Sequence, residues 1–210
     1  SGALDADVLA QLIAALPQGA PGETAAHKRY DAAACAVEIP ADVGFCALGH
    51  NLYALGSSYS GACPVLSSLV SYGYLWNMVR VQGGAYGTGM NVRRSGDIFC
   101  YSYRDPNLDN TRAVFSAVAD FIENFAAQGM PLDDIIIGAV NTTDPLLDPA
   151  GVCESQCVRA LKGVTPEELA KTRHELLATK PADLAAMAGV LRKYAHEGKF
   201  CTFSGTNGGA

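Results

Sequence analysis

The sequence predicts an α+β domain of two layers, a largely antiparallel sheet with helices packed on one face. Three observations lead to this fold class. Strand-like apolar runs come early in the chain, helical apolar stripes fill its second half, and one more strand candidate follows them. Hydrophobic residues make up 49% of the 210 residues and charged residues 17%. This composition supplies a sizeable buried core and excludes an intrinsically disordered tail.

The first half of the chain predicts two helices and two strands. Apolar residues at helical spacing indicate a helix over residues 4–16, which stops at Pro17. Beyond a loop rich in Gly and Pro, strands are expected at residues 33–39 and 43–48. A long helix over residues 60–78 follows. Its apolar residues occupy more than one face, so we expect it to be buried.

A hairpin and a helical half complete the predicted order of elements. Strands at residues 83–92 and 97–104 flank the turn Arg94-Ser95-Gly96. Further helices are expected along the apolar stripe of residues 114–125, from Pro131 in the first turn of a helix, at a capping box that begins with Thr165, and from Pro181 to about residue 195. Residues 200–203 are the last strand candidate.

Residues 43–79 contain no Asp, Glu, Lys or Arg, a run of 37 residues. A membrane-spanning helix would need about 18 or more continuously apolar residues. Here glycines, hydroxyl side chains and Pro64 interrupt the run. The run therefore predicts the buried centre of a domain, and we expect no membrane partner.

The net charge of −6 disfavours nucleic acid as a partner. Arg80, Arg93, Arg94 and Arg104 nevertheless surround the glycine-rich segment 83–89. They fit either ordinary surface charges or a phosphate or nucleotide site, but the segment matches neither G-x-x-x-x-G-K-[ST] nor G-x-G-x-x-G. The glycines also allow close approach of another backbone, as when an extended peptide pairs with a sheet edge.

Seven cysteines, an odd number, and no visible secretory signal favour free thiols in a reducing compartment. Cys153 and Cys157 would share one face of a helix, but further zinc ligands are missing nearby in the sequence. None of the four histidines stands in the H-E-x-x-H or H-x-x-E-H motif of zinc proteases. The sequence therefore predicts no catalytic residue and no metal site in this chain.

A more specific pattern lies in residues 75–87 (LWNMVRVQGGAYG), in Arg94-Ser95-Gly96 and in residues 101–108 (YSYRDPNL). This pattern resembles the C-terminal domain of presequence proteases, members of the pitrilysin/insulysin superfamily of zinc metallopeptidases. Similar segments lie at residues 37–40, 43–44, 49–53, 135–138 and 163–168, so the resemblance covers residues 31–201. It implies at residues 31–210 a pitrilysin-type domain that is a fragment of a larger multi-domain chain. Residues 1–30, with the helix predicted from their apolar spacing, are then an N-terminal helix and linker.

The resemblance carries expectations about the parent enzyme. In this family, four α+β domains form two halves that enclose a proteolytic chamber, and the first domain holds zinc and the catalytic glutamate on H-x-x-E-H. This chain would then be inactive alone, with zinc bound by the N-terminal half of its parent. Its partners would be that half and unstructured peptide substrates. The expected location is the bacterial cytoplasm, or alternatively the mitochondrial matrix or another organelle.

The resemblance also implies a substrate-binding site at Arg80 and Tyr86, with Gly83 and Gly84 between them. A guanidinium offers forked donors to a carbonyl or carboxylate oxygen, and a tyrosine hydroxyl can donate to a developing oxyanion. Taken by themselves, Arg80 fits a cation at a helix C-terminus and Tyr86 a half-buried strand aromatic. A non-catalytic peptide-binding or assembly module of the same fold is the alternative function.

Overall fold

The computed structural model describes residues 6–17, 19 and 35–205. In that part of the chain, one five-stranded sheet is formed by β1 Cys35–Glu38, β2 Gly44–Asn51, β3 Gly87–Val92, β4 Asp97–Asp105 and β5 Lys199–Ser204. The spatial order is β1-β5-β2-β4-β3. Only the pair β1–β5 is parallel, and the other neighbouring strands run antiparallel. The predicted α+β class with a largely antiparallel sheet is therefore confirmed.

The helices of the described residues are α1 Ala6–Ala14, α2 Ala62–Val70, α3 Leu108–Ser116, α4 Val118–Ala127, α5 Asp133–Thr143, α6 Pro149–Leu161, α7 Pro166–Ala178, α8 Pro181–Ala186 and α9 Ala188–Glu197. A π-helix, Ser71–Gln82, directly continues α2. None of the described helices is long and apolar enough to cross a bilayer.

Strand alternation separates a covered face of the sheet from an uncovered one. Along β4, Ile98, Cys100 and Ser102 are buried in the core beneath the helices, whereas Tyr101 and Tyr103 point to the other side and are exposed. Strand pairing places further apolar side chains beside these tyrosines. We call this helix-free side the open face; it carries Val37, Phe45, Phe99, Tyr101, Tyr103 and Phe203.

The core is tied to the sheet by a phenol from α9. Tyr194 is fully buried, and its hydroxyl donates a hydrogen bond to the Leu48 carbonyl (2.7 Å) and accepts one from the Cys100 amide (2.9 Å). Leu48 and Cys100 are opposite residues on β2 and β4. Because buried backbone groups need partners, this contact fixes α9 across the two central strands.

The expected long buried helix differs from the observed one in its second half. In α2, residues such as Leu66 and Leu69 are buried, but along the π-helix only Leu75 and Val79 are. Tyr72 is 70% and Trp76 40% exposed. The prediction of burial on several faces is therefore wrong beyond residue 70, because no described element covers the side that carries Tyr72 and Trp76.

Other differences are local. The apolar stripe predicted for residues 114–125 is divided between α3 and α4 at Ala117, which leaves helical geometry, and the helix predicted from Pro181 is divided between α8 and α9 at Met187. Pro131 lies just before α5 rather than in its first turn. The capping box at Thr165 is confirmed. Residues 4–5, the loop after Pro17 apart from residue 19, residues 33–34 and the predicted domain boundary between residues 30 and 31 lie outside the described residues.

Candidate substrate-contact site

Arg80 lies at the end of the π-helix, stacked on an aromatic ring from the preceding turn. Its guanidinium carbon is 4.0 Å from the centroid of the Trp76 ring and 5.8 Å from that of Tyr86. These distances are within the range of cation–π attraction, which is strongest for tryptophan. Arg80 is half-buried, and no carboxylate of residues 6–17, 19 or 35–205 forms an ion pair with it. The cation is thus held in place without being neutralised.

Two glycines end the π-helix and turn the chain back toward Arg80. A Cβ atom on Gly83 would lie 2.5 Å from the Val79 carbonyl oxygen, so a side chain does not fit there. Gly84 has a φ of +83° and donates its N–H to the Arg80 carbonyl at 3.1 Å, a left-handed helix ending that favours glycine. The predicted site residues Gly83 and Gly84 therefore form the turn that brings Tyr86 beside Arg80.

Tyr86 precedes β3 and projects to solvent, with 65% of its surface exposed. Its N–H donates to the carbonyls of Tyr103 and Arg104, which fixes the backbone against β4. Its ring meets Tyr103 edge-on at 5.8 Å, and Tyr103 in turn meets Phe45 at 5.2 Å. The Tyr86 hydroxyl has no hydrogen-bond partner among the described residues, so it is free to donate to a ligand.

Arg104 adopts a left-handed conformation, with a φ of 51°, the one positive φ of a non-glycine residue in the described part of the chain. This conformation costs an L-residue about 1–2 kcal/mol. It directs the Arg104 carbonyl to within 3.3 Å of the Tyr86 amide nitrogen. Backbone strain is thus concentrated next to the tyrosine of the candidate site.

Serine hydroxyls of the α2–π helix occupy most of the free edge of β3. The Met90 N–H donates to Ser71 Oγ (2.8 Å) and the Val92 N–H to Ser67 Oγ (3.0 Å). A groove of about 410 Å³ runs along this edge beside Tyr72 and Trp76. Pairing of an extended peptide along the whole of β3, which the glycines suggested, conflicts with these bonds. Within the described part of the chain, the open face carries no such bonds from helix side chains and no covering helix.

Two of the other arginines, Arg93 and Arg94, have their partners outside the glycine segment. Arg94 donates to Thr172 Oγ1 (2.8 Å) and lies over the Tyr59 ring, and Arg93 lies over the ring of Phe99. The glycines follow the C-terminal end of a helix, whose carbonyls repel anions. This arrangement argues against a phosphate or nucleotide site.

The residues that the structure describes do not fit a zinc ion. In the described ranges, no three His, Cys, Asp or Glu side chains are grouped so that they could hold a metal. All seven cysteines are free thiols, and Cys153 and Cys157 are exposed on α6. A larger cleft of about 730 Å³, between the β1–β2 turn and residues 105–108, is lined by none of the predicted site residues.

Trp76 is a site residue that sequence reasoning did not single out. Part of the signal is in the sequence, because Trp76 lies in the helix predicted over residues 60–78 and Arg80 follows four residues later, where it shares a face if the helix continues. For Tyr103, the sequence predicts only a place on a strand. Its place beside Tyr86 depends on the pairing of β4 with β3.

The fold of this chain is shared with solved structures of peptidase domains. This chain superposes on the peptidase M16 inactive domain from Pseudomonas fluorescens with a TM-score of 0.65 and 14% sequence identity. The match covers 97% of this chain and 51% of the Pseudomonas chain. The match to pitrilysin has a TM-score of 0.52 and 11% sequence identity, and it covers 85% of this chain and 20% of the pitrilysin chain. The sequence then gives the family. The family model described as PreP C-terminal domain matches residues 35–204, and the chain belongs to this family.

Curated relatives agree with this assignment. Presequence protease 1, chloroplastic/mitochondrial, from Arabidopsis thaliana is 34% identical over 154 residues, 73% of this chain and 14% of that protein. Protein HypA from Clostridium perfringens is 31% identical over 160 residues, 76% of this chain and 16% of that protein. The chain thus spans about one-seventh of the length of these relatives.

Proposed function

We propose that this chain is the C-terminal, non-zinc-binding domain of a peptide-degrading zinc endopeptidase. Arg80 and Tyr86 would contact the substrate near the scissile bond. The observation that carries the proposal is the arrangement of the half-buried Arg80 on Trp76, beside a tyrosine whose hydroxyl lacks a partner in the described residues. A rigid cation and an adjacent free donor suit a peptide carbonyl and the oxyanion that develops during its hydrolysis.

In the same proposal, the open face forms part of the chamber wall. Val37, Tyr103 and Phe203 are each more than 40% exposed on this side of the sheet, while the opposite side is covered by helices. Apolar and aromatic side chains at such a surface favour contact with extended peptides. Gly83 and Gly84 would let a substrate backbone approach the turn between Arg80 and Tyr86.

The remaining parts of the proposal concern the parent protein. Zinc would be bound by its N-terminal half, which would also be the main partner of this domain, and residues 31–210 would form the domain after a helix and linker at 1–30. The bacterial cytoplasm, or an organelle such as the mitochondrial matrix, is the proposed location. Relatives named as presequence proteases, chloroplastic or mitochondrial, support the enzyme class and the organellar alternative.

The test is peptide cleavage by the full-length parent carrying Arg80→Ala or Tyr86→Phe. Loss of one oxyanion donor lowers kcat about 10²- to 10³-fold in other hydrolases, and we expect kcat/KM to fall by roughly this factor with Tyr86→Phe. Tyr53→Phe, which removes an exposed hydroxyl that bonds the Arg94 carbonyl outside the open face, is the matched control. Unchanged cleavage by both site variants would disprove the assignment.

A non-catalytic peptide-binding or assembly module remains the second candidate, favoured by the aromatic open face. Trp76 is the single tryptophan of the chain, so its fluorescence reports on Arg80 and on any bound peptide. Titration of the 210-residue chain with an unstructured peptide tests binding, and Arg80→Ala tests whether the site is used. The module would be favoured over the endopeptidase domain by two results together: the chain binds the peptide, and the full-length parent cleaves no peptide in the presence of zinc.

A further inference from the structure

Cys35 and Cys201 form a pair of thiols on adjacent strands at the edge of the sheet. They are direct partners in the parallel register of β1 and β5, and the Cys35 thiol donates to Cys201 Sγ at 3.0 Å. Adjacent strands are about 4.8 Å apart, and disulfides join residues whose Cα atoms are roughly 4.4–6.8 Å apart. The backbone therefore already has the spacing that a disulfide requires.

The other five cysteines are unsuited to a cross-link between distant parts of the chain. Cys46, Cys63 and Cys100 are buried, and burial raises the pKa of all three thiols, to about 11 for Cys46 and about 12 for Cys100. Cys153 and Cys157 lie on the same helix, where a bond between them would constrain no other element. Cys35 and Cys201 are 166 residues apart in sequence, and Cys35 is exposed to solvent.

We propose that Cys35 and Cys201 are a redox-sensitive modification site at which a reversible disulfide fastens the edge strand β1 to β5. All four residues of β1 are exposed, and among the described strands β1 pairs only with β5. A strand with so little buried surface opens more readily than the core of a domain. The disulfide would prevent this opening, because it links β1 covalently to β5. The site is separate from Arg80 and does not depend on the peptidase proposal.

A small disulfide such as oxidised glutathione is the oxidant. The Cys201 thiolate, which can keep the hydrogen bond from Cys35, attacks one sulfur of oxidised glutathione and displaces a glutathione thiolate. The Cys35 thiolate then attacks the Cys201 sulfur of the mixed disulfide and displaces the second glutathione. In sum, the two protein thiols lose two electrons and two protons, and oxidised glutathione becomes two molecules of reduced glutathione.

The experiment exposes the 210-residue chain to a series of reduced-to-oxidised glutathione ratios. Free thiols are then alkylated, and the products are analysed by peptide mass spectrometry and hydrogen exchange. We expect a Cys35–Cys201 cross-link, a Tm higher by about 5 °C or more than that of the reduced chain, and at least tenfold slower exchange in β1. Cys35→Ser and Cys201→Ser should each abolish these changes, because each removes one of the two thiols. Neither side chain is fully buried, so we expect both variants to fold.

Cys153→Ser provides the matched control, because it removes an exposed thiol and should leave the cross-link and the Tm shift intact. Stable glutathione adducts without a bridge would overturn the proposal. So would a bridge that leaves exchange in β1 unchanged, or an oxidation-dependent Tm shift that persists in Cys35→Ser and Cys201→Ser.

Discussion

The guanidinium of Arg80 rests on the indole of Trp76, with 4.0 Å between the guanidinium carbon and the ring centroid. This contact orients a cation that has no ion pair within the described part of the chain. The Trp76 ring therefore serves as the support of the candidate site. Its contribution can be separated from that of Arg80 itself by substitution.

Trp76→Ala should lower kcat/KM of the parent enzyme about fivefold, because a cation–π contact of about 1 kcal/mol then no longer holds Arg80 in place. Trp76→Phe keeps a ring and should change kcat/KM less than twofold. Tyr72→Ala is the control, since Tyr72 lies beside Trp76 but not beside Arg80. Equal effects of Trp76→Ala and Tyr72→Ala in peptide-cleavage assays would contradict a specific role for the indole.

Tyr194→Phe should destabilise the chain by about 1–3 kcal/mol. The change leaves the Leu48 carbonyl and the Cys100 N–H without the hydroxyl that both use in the core. Urea unfolding measures this difference. Tyr53→Phe, which removes a hydroxyl that bonds the Arg94 carbonyl in an exposed turn, should cost less than about 1 kcal/mol because water can replace it. A reversed order of the two variants would rule out this account.

Arg104→Gly should be more stable than Arg104→Ala by about 1 kcal/mol. Both variants lose the same side-chain functional group, but only glycine adopts the left-handed backbone without steric cost. The comparison therefore isolates backbone strain from any effect of the arginine charge. Chemical denaturation of both variants provides the measurement, and equal stabilities would mean that residue 104 carries no strain.

The free energy of unfolding should fall as the pH rises above about 9. Burial raises the pKa of Cys46 to about 11 and of Cys100 to about 12, while thiols in the unfolded chain titrate near 8.5. Between these values the unfolded chain binds fewer protons than the native one, so each thiol lowers stability by up to about 1.4 kcal/mol per pH unit.

Urea unfolding between pH 8 and pH 10.5 measures this slope. Cys100→Ala should make it shallower, whereas Cys153→Ala, which removes an exposed thiol, should leave it unchanged. A slope that is the same in all three proteins would show that the buried thiols do not cause the loss of stability.

Patterns confined to neighbouring residues were predictable from the sequence. The hairpin of β3 and β4 follows from period-two alternation and from Gly96, whose φ of +96° fits the turn, although β3 begins at Gly87 and not at residue 83. The capping box from Thr165 to Glu168 needs only four residues. Arg80 and Tyr86 were found because their segment resembles a known family, and their contact with a substrate stays a prediction.

Features that depend on distant parts of the chain were not predictable. The insertion of β5 between β1 and β2 sets the pairing of Cys35 with Cys201, and no local pattern encodes a register between segments so far apart. Likewise, apolar periodicity does not predict that Tyr72 and Trp76 are exposed, because their exposure depends on which helices pack nearby. The contact of Trp76 with Arg80 also depends on the helix continuing to Gln82, beyond its predicted end at residue 78.

The hydroxyls of Ser67 and Ser71 on the edge of β3 also limit how this sheet can aggregate. A sheet grows by offering rows of unpaired N–H and C=O groups to another chain, and at β3 the N–H groups of Met90 and Val92 are already bonded. Of the two edge strands in the described sheet, only β1 then remains for pairing with a second copy. When two copies pair through β1, neither has a second free edge for a third copy. Such pairing therefore gives closed dimers rather than fibrils.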